Sequence, residues 1–238
     1  MASLFKPRFI GGYIRRKHFE KVLPQLEFTF VLDAGCGAGE YSFLIAREFK
    51  SVRVVGYDVN GAQIRRNNVK AKKENLTNVG FFAKDLTSID DFEKFDLIVC
   101  VDVLEHIKDD DRCIRSLYQA LKHGGKLYIH VPGLKQFRHF KKSEEIEPEE
   151  AHVREGYSLK QMKDLLTENR FNTIHVGQTF GTYGILAWEI YMLNKKWPYI
   201  LHLLNPLLLL FSWLDVHSKN ERYNNFYVLA EKSLMISE

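Results

Sequence analysis

Three glycines lie between two carboxylates in the segment Asp33–Glu40, which reads Asp-Ala-Gly-Cys-Gly-Ala-Gly-Glu. Glycines at such a turn let a ligand approach the backbone closely, so the segment is a candidate binding site. Its spacing is G-x-G-x-G, whereas a turn that binds a dinucleotide pyrophosphate reads G-x-G-x-x-G. Because Asp33 and Glu40 place a carboxylate at each end, a cationic ligand suits the segment better than a pyrophosphate. The alternative is a tight strand-to-helix turn without a ligand.

Two further acidic residues follow predicted strands at spacings that suit a nucleoside. Asp58 ends the run Val-Val-Gly-Tyr-Asp about 20 residues after the glycines, where a carboxylate can accept hydrogen bonds from both hydroxyls of a ribose. Asp85 and its neighbour Leu86 follow the next predicted strand and could contact the amine and the ring of an adenine. Asp85 also has a second interpretation, since Asp is common as a turn residue or helix cap.

The elements that must position these residues alternate between short apolar runs and amphipathic stretches. Strands separated by helices indicate crossover connections and a parallel sheet. The predicted strands are 28–32, 53–57, 79–83, 96–101, 126–131, 173–176 and 226–230, and the predicted helices are 41–49, 62–74, 110–122 and 158–169. A long polar connection over 133–157 interrupts the alternation, and loops of that length are usually functional lids or disordered.

Five segments occur in order along the chain: VLDAGCGAGEYS, GYDVN, KDL, FDLIVCVDVLEHI and LKHGGKLYIHVP. Together they resemble class I S-adenosylmethionine-dependent methyltransferases over residues 31–171. The resemblance implies an α/β, Rossmann-like fold, with a seven-stranded, mostly parallel sheet, helices on both faces and an antiparallel last strand. It also implies S-adenosylmethionine as the cofactor. The positions that it carries over are Asp33, Gly35, Cys36 and Gly37 along the methionine part, Asp58 and Val59 at the ribose, Asp85 and Leu86 at the adenine, and Val101 and Asp102 on the other side.

Three histidines lie near the predicted carboxyl ends of strands and are candidates for a general base. A histidine with a pKa near neutrality suits the deprotonation of a phenol or alcohol. We predict His106 and His152 as the catalytic residues. The phrase His152–Ser158 resembles the segment before the last helix in methyltransferases of quinone and lipid biosynthesis. The structural alternatives are a turn cap for His106, a buried strand residue for His130 and an anchor of the connecting segment for His152.

A metal site is a further possibility, because Asp102-Val-Leu-Glu105-His106 is similar to the E-x-x-E-H cluster of metal-dependent methyltransferases. Such a cluster would supply oxygen and nitrogen ligands to Mg²⁺ or Mn²⁺. The first residue here is Asp instead of Glu, which shortens its reach, and the phrase is common in metal-free relatives. We therefore predict no metal.

The acceptor is predicted to be a hydrophobic small molecule, methylated on oxygen or carbon: a quinone precursor, a lipid or a polyprenyl-linked glycan. Enzymes that methylate amino groups of bases or amides in polymers commonly carry an N/D-P-P-Y/F phrase at the end of the fourth strand. This chain has Val-Asp-Val-Leu-Glu there, so we expect no DNA partner. The basic helix 62–74 has no interleaved aromatic side chains to stack bases, which disfavours RNA. An RNA or protein methyltransferase and a non-catalytic binding module with this fold are the alternatives.

An apolar insertion over 183–217 separates the last two predicted strands. Residues 197–214 are 18 residues without a formal charge, 13 of them large apolar or aromatic. They fall short of the roughly 20 residues of a membrane-spanning helix, and Asn205-Pro206 interrupts them. We predict two helices joined near 194–198 that form an apolar lid or a hairpin at a membrane surface. Packing against the same domain or a second subunit is the alternative.

Length, composition and charge limit the class of protein and its cellular location. The 238 residues, 45% hydrophobic and 27% charged, predict one globular domain over 1–238 with a basic amino-terminal segment over 1–27. The net charge of +4 does not indicate a nucleic-acid binder by itself. Three cysteines without C-x-x-C spacing indicate a reducing compartment, and no apolar core of a signal peptide follows the first basic residues. We therefore expect a cytoplasmic protein that attaches peripherally to a membrane if the insertion binds lipid.

Overall fold

The computed structural model describes residues 10–140, 153–194, 196–219 and 221–233. The chain forms two compact units, each made of separate segments. We call residues 26–131, 153–176 and 227–238 the sheet unit, and residues 1–25, 132–152 and 177–226 the helical unit. The prediction of a single domain over 1–238 treats both units as one and stays a prediction.

Seven strands form one sheet in the order β3-β2-β1-β4-β5-β7-β6. The bounds are β1 Phe30–Ala34, β2 Arg53–Asp58, β3 Val79–Ala83, β4 Phe95–Val101, β5 Leu121–Pro132, β6 Phe171–Thr179 and β7 Asn225–Lys232. The β1, β2, β3, β4 and β5 strands pair in parallel, whereas the last strands are antiparallel. The predicted fold class is therefore confirmed.

The helices of the sheet unit are α2 Glu40–Glu48, α3 Gly61–Lys73, α4 Asp110–Ala120 and α5 Leu159–Glu168. The amino ends of α3, α4 and α5 are capped by side-chain hydrogen bonds. Ser158 caps α5 in a capping box in which its hydroxyl accepts from the N–H of Gln161 at 3.2 Å. The central strands are fully buried, as parallel strands covered by helices on both faces must be, and Leu32, Ile98 and Leu127 have no exposed surface.

One boundary in the sheet unit differs from the prediction. Helix α4 ends at Ala120 and β5 begins directly at Leu121, whereas the helix was predicted to extend to residue 122 and the strand to begin at 126. The register between β4 and β5 shifts between the pairs Phe95–Leu121 and Leu97–Lys126. Gly124, with φ of 72°, lies in this irregularity, so the glycines accommodate a bulge within the strand.

The helical unit contains α1 Ile10–Val22, α6 Thr182–Asn194 and α7 Pro198–His217. The helical hairpin of α6 and α7 agrees with the predicted pair of helices. Helix α7 continues through Asn205 and Pro206, so the predicted interruption is wrong. Helix α1 was not predicted, because basic residues dominate the segment. Its fully buried Ile10 and Ile14 lie four residues apart, which is the spacing of one helix face.

Candidate functional site

The glycine segment forms the turn between β1 and α2. Gly35 and Gly37 have φ angles of 74° and 46°, the left-handed region that favours glycine. A Cβ atom on Gly35 would overlap the side chain of Val103, whereas a Cβ atom on Gly37 would meet nothing within 4 Å. Gly35 is therefore needed for packing, and Gly37 borders open space.

Four backbone N–H groups of this turn are already bonded within the protein. Those of Gly35 and Cys36 donate to the Tyr57 carbonyl oxygen at 2.8 and 2.9 Å, and that of Gly39 donates to the Cys36 carbonyl at 2.7 Å. The N–H of Gly37 donates to Asp58 Oδ2 at 2.9 Å. A turn that binds a pyrophosphate directs such groups at the ligand, so this geometry does not favour a dinucleotide.

Asp58 lies at the carboxyl end of β2, beside the glycine turn. Its Oδ1 accepts a second backbone hydrogen bond, from the N–H of Asn60 at 2.8 Å. A carboxylate has about four lone-pair sites, so sites remain that could accept from ribose hydroxyls. The adjacent Val59 side chain is 73% exposed and offers apolar surface next to this carboxylate.

Asp33 is buried beneath the turn and contacts the first turn of α2. Its Oδ2 accepts from the N–H of Ser42 at 2.9 Å and from the Ser42 hydroxyl at 2.6 Å. Burial raises the pKa of Asp33 to about 6, although the Ser42 hydrogen bonds oppose the shift; the Asp58 and Glu40 carboxylates add to it. Three carboxylates near one turn create a negative potential that favours a cation. Asp33 also holds α2 in place.

Cys36 is a packing residue of the turn. It is buried in a cluster with Phe43, Ile64 and Phe81. Burial, with the Asp33 and Asp58 carboxylates, raises the pKa of the Cys36 thiol well above its ordinary value. The thiol therefore stays protonated and does not act as a nucleophile.

Asp85 follows β3 and caps a short 3₁₀ turn at 86–88. Its Oδ1 accepts from the N–H and the hydroxyl of Thr87 at 2.8 and 2.9 Å, and these hydrogen bonds lower the pKa of Asp85. This is the arrangement that the helix-cap alternative predicts. Asp85 is exposed and Leu86 is buried beside it, and their contact with adenine stays a prediction.

Asp102 and His130 form a bonded pair at the carboxyl ends of the adjacent strands β4 and β5. The His130 ring, which has no exposed surface, lies with Nδ1 2.5 Å from Asp102 Oδ1. The backbone N–H of Asp102 donates to the His130 carbonyl at 2.9 Å. Asp102 has φ of 51°, an uncommon conformation for a residue with a side chain, and its side chain is 23% exposed. The pair therefore presents a fixed carboxylate at the edge of the sheet, directly after Val101.

His106 ends a 3₁₀ turn at 104–106 that follows β4, and it is half-buried. Its backbone N–H donates to the Val103 carbonyl at 3.0 Å. His152 lies outside the described residues. The chain that follows it is bonded to the same turn, because Val153 donates to the Glu105 carbonyl at 3.0 Å and the Tyr157 hydroxyl donates to the Leu104 carbonyl at 3.2 Å. The catalytic roles of His106 and His152 stay predictions.

The side chains that could bind a metal do not form a cluster in the part of the chain that the structure describes. No group of three or more His, Cys, Asp or Glu side chains there could hold a metal ion. Within the phrase Asp102-Val-Leu-Glu105-His106, Asp102 is bonded to His130 and Glu105 is buried.

Supporting residues that the sequence prediction missed hold the glycine turn from the side of α3. Asn67 Nδ2 donates to the Gly37 carbonyl at 2.7 Å, and Gln63 donates to Asn67 Oδ1 at 2.9 Å. Asn60 caps α3 by accepting from the N–H of Gln63 at 3.1 Å. The cap has a signal in the sequence, Asn followed three residues later by Gln before a helix. The Asn67 contact has no such signal, because it joins residues 30 positions apart.

Comparison with known proteins identifies the family of the chain. Residues 28–202 match the family model of a methyltransferase domain, which covers the glycine turn, Asp58, Asp85, Asp102 and His130. The chain belongs to this methyltransferase family. The resemblance to class I S-adenosylmethionine-dependent methyltransferases is thereby confirmed.

Individual relatives cover the chain to different extents. A ubiquinone biosynthesis O-methyltransferase of Coxiella burnetii is 31% identical over 129 residues, which are 54% of this chain and 53% of that protein. The chain thus spans about half the length of the curated relatives that it matches. A phosphoethanolamine N-methyltransferase 2 of Haemonchus contortus, solved with S-adenosyl-L-methionine, has a similar structure, with a TM-score of 0.66 and 21% sequence identity. The match covers 92% of this chain and 53% of that chain.

A third similar structure belongs to a protein that is named for a different reaction. The [4+2]-cyclase SpnF has a TM-score of 0.67 at 20% identity, over 93% of this chain and 82% of that one. A cyclase and a methyltransferase therefore share this architecture. The fold alone does not define the reaction, which depends on the residues of the site.

S-adenosylmethionine is the cofactor that membership of this family assigns to the chain. The residues present fit it in two respects. Open space borders Gly37, and three carboxylates near the turn favour its positive charges. The assignment of individual side chains to parts of the cofactor stays a prediction.

Proposed function

We propose that the protein transfers a methyl group from S-adenosylmethionine to an oxygen atom of a hydrophobic small molecule, of the class of quinone precursors or lipids. The observation that carries this proposal is the match to the ubiquinone biosynthesis O-methyltransferase. The bonded Asp102–His130 pair supports methyl transfer to a hydroxyl, because its carboxylate can accept the proton that the hydroxyl loses.

The cofactor supplies an electrophilic methyl group on a positively charged sulfur. In the proposed site, Asp58 accepts from the ribose hydroxyls, and the negative potential of Asp33 and Glu40 favours the cation. The protein's main contribution is then to hold the two reactants in line at short distance, which can lower a barrier by about 7–11 kcal/mol.

We assign the acceptor's proton to the Asp102 carboxylate. The acceptor oxygen forms a bond to the methyl carbon, the carbon–sulfur bond breaks with its electron pair remaining on sulfur, and the hydroxyl proton passes to Asp102. His130 is a positioning residue, because its buried ring donates from Nδ1 to Asp102 and fixes the carboxylate. His106, on the turn after β4, is the second candidate for the proton acceptor.

The test is transfer of labelled methyl from S-adenosylmethionine into a cell lysate that contains membranes, followed by partition into organic, aqueous and acid-precipitable fractions. We expect label in the organic fraction, and we expect its loss in the Asp58→Ala variant. Label in the precipitate would instead favour the RNA or protein methyltransferase. Bound cofactor without transfer to any fraction would favour the non-catalytic binding module.

An isolated acceptor can then test the acceptor atom. A catechol that carries a short prenyl chain should be methylated on oxygen, and the same catechol without the chain should be a poorer substrate. Mass spectrometry of the product distinguishes an O-methyl ether from a ring-methylated catechol. A ring-methylated product would assign the enzyme to carbon methylation.

A further inference from the structure

Helix α7 of the helical unit is apolar on two opposite faces. On one face, Leu201 and Leu208 are buried at 3% and 1% exposure, in a cluster with Ile10 and Ile14 of α1 and Ile185 of α6. This face therefore has its partners within the helical unit. Among the described helices, only α7 is long and apolar enough to cross a membrane by length and composition, and 28% of its most apolar 18-residue window is buried.

The opposite face of α7 is exposed and equally apolar. Tyr199 and Leu203 are 90% and 81% exposed, and Leu207, Leu210 and Trp213 are 41%, 50% and 54% exposed. We call these five residues the α7 stripe. Their spacings of four, four, three and three residues place them on one side of the helix, over a length of about 20 Å. Contiguous apolar surface of this kind marks an interaction site.

The charges around the stripe indicate the chemistry of its partner. Residues 197–214 carry no Asp, Glu, Lys or Arg. The described part of the helical unit has nine Lys and Arg residues: Arg15, Arg16, Lys17, Lys21, Lys135, Arg138, Lys196, Lys219 and Arg222. Its four acidic residues are Glu20, Glu189, Asp215 and Glu221, and Glu189 and Asp215 are fully buried. The described part of this unit therefore has an excess of basic residues, which complements a negatively charged partner.

Aromatic and basic residues mark both ends of α7. Lys196 and Trp197 precede the helix, and Trp197 is 63% exposed. Trp213 lies in the last turns of the helix, and Lys219 follows it. Trp and Tyr are enriched at the level of lipid headgroups, and Lys and Arg bind anionic lipids there.

We propose that the α7 stripe binds the surface of an anionic lipid bilayer, with α7 lying in the plane of the interface. The stripe runs along the helix and not around one end, so the helix must lie flat for all five side chains to reach the acyl region. A spanning orientation does not suit α7, because its other face is packed against α1 and α6. A second copy of the chain would bring two basic surfaces together, which disfavours a dimer at this face.

Vesicle flotation with the full chain tests the proposal. We expect binding to vesicles of phosphatidylcholine with about one third phosphatidylglycerol, weaker binding to pure phosphatidylcholine, and weakening at high salt. The triple variant Leu203→Gln, Leu207→Gln and Leu210→Gln should lower the partition coefficient by about tenfold or more, since each change removes apolar contact with the bilayer. The three leucine side chains are at least 41% exposed, so the fold should tolerate their replacement by glutamine.

A matched control introduces glutamine at exposed apolar positions outside the α7 stripe. Val69→Gln with Ile174→Gln changes two side chains of the sheet unit that are 53% and 49% exposed, and it should leave vesicle binding unchanged. Circular dichroism and binding of S-adenosylhomocysteine check that both variants are folded. The proposal is overturned if the wild-type chain does not float with anionic vesicles, or if the triple variant floats equally well. A dimer in sedimentation velocity that the triple variant dissociates, without vesicle binding, would assign the stripe to a second copy.

Discussion

Asp58 Oδ2 accepts a hydrogen bond from the backbone N–H of Gly37 at 2.9 Å, across 21 residues of sequence. The bond joins the carboxyl end of β2 to the turn after β1. These are adjacent parallel strands, with Asp33 paired to Gly56 in register. The carboxylate that is proposed to hold the ribose thus also fixes the turn that is proposed to hold the methionine part, so the two halves of the cofactor site are formed together.

This double role predicts the effect of Asp58→Ala. The substitution removes a charged acceptor, which should weaken binding of S-adenosylhomocysteine by about 1.5–3 kcal/mol. Asp58→Asn keeps one acceptor oxygen and should lose less. Titration calorimetry measures both, with Asp90→Ala as the control, because Asp90 is exposed and paired with Lys84. An unchanged dissociation constant for Asp58→Ala would remove Asp58 from the cofactor site.

The two glycines of the turn should respond differently to alanine. Gly35→Ala should destabilise the fold by about 2–4 kcal/mol, since it combines a left-handed backbone with overlap on Val103. Gly37→Ala has the backbone cost alone, about 1–2 kcal/mol, but its methyl group would enter the proposed ligand space.

Urea unfolding and cofactor titration separate the two effects. Gly35→Ala should regain part of its stability when combined with Val103→Ala, because the overlapping side chain is removed. Gly37→Ala should lose more cofactor affinity than stability. Equal affinity of Gly37→Ala and the wild-type protein would show that the space beside Gly37 is not the ligand site.

The buried Asp33 predicts a pH dependence of stability in the cofactor-free protein. Burial raises its pKa from 3.8 to about 6, so the folded state binds a proton over a pH range in which the unfolded state has released it. The contribution of Asp33 is therefore present below pH 4 and is lost as the pH rises to 6, by an amount on the order of 2–3 kcal/mol.

Asp33→Asn removes this titration. Urea unfolding at several pH values between 4 and 7 should show a smaller fall in stability for Asp33→Asn than for the wild-type protein. Asp90→Asn serves as the comparison, because it removes a carboxylate that is fully exposed to solvent. Identical pH profiles for wild-type and Asp33→Asn would mean that Asp33 titrates near its ordinary pKa in the folded protein.

The Asp102–His130 pair predicts a loss of turnover without a loss of cofactor binding. Asparagine tolerates the left-handed backbone of residue 102, so Asp102→Asn should fold normally. If Asp102 accepts the proton, kcat should fall by about 100-fold or more, the usual contribution of a general base. The affinity for S-adenosylhomocysteine should stay within about threefold, a difference of less than 1 kcal/mol.

His130→Gln tests the positioning role with a different readout. Loss of the imidazole should shift the pH profile of kcat as well as lower its maximum, because the hydrogen bond to the carboxylate changes. A merely structural defect would lower activity at every pH by the same factor. A large loss of cofactor affinity in Asp102→Asn would instead place Asp102 against the cofactor, as the family resemblance implies.

The sequence alone was sufficient for the fold class and for the order of the site segments. Strands such as β3, which was predicted at 79–83 and lies at Val79–Ala83, are short apolar runs bounded by polar residues, so local pattern identifies them. The helix predicted at 158–169 begins at the expected place for the same reason, since its Ser158 cap bonds to a residue only three positions away. Features determined by neighbouring residues are accessible to such analysis.

Only the tertiary structure decided how the site residues are used. Asp33 bonds to Ser42 on the following helix, and Asp102 pairs with a histidine 28 positions away on the next strand. Helix α1 and the two faces of α7 likewise depend on which side of each helix finds a partner. These outcomes depend on strand register and helix packing, which bring distant residues together, and no local pattern in the sequence specifies them.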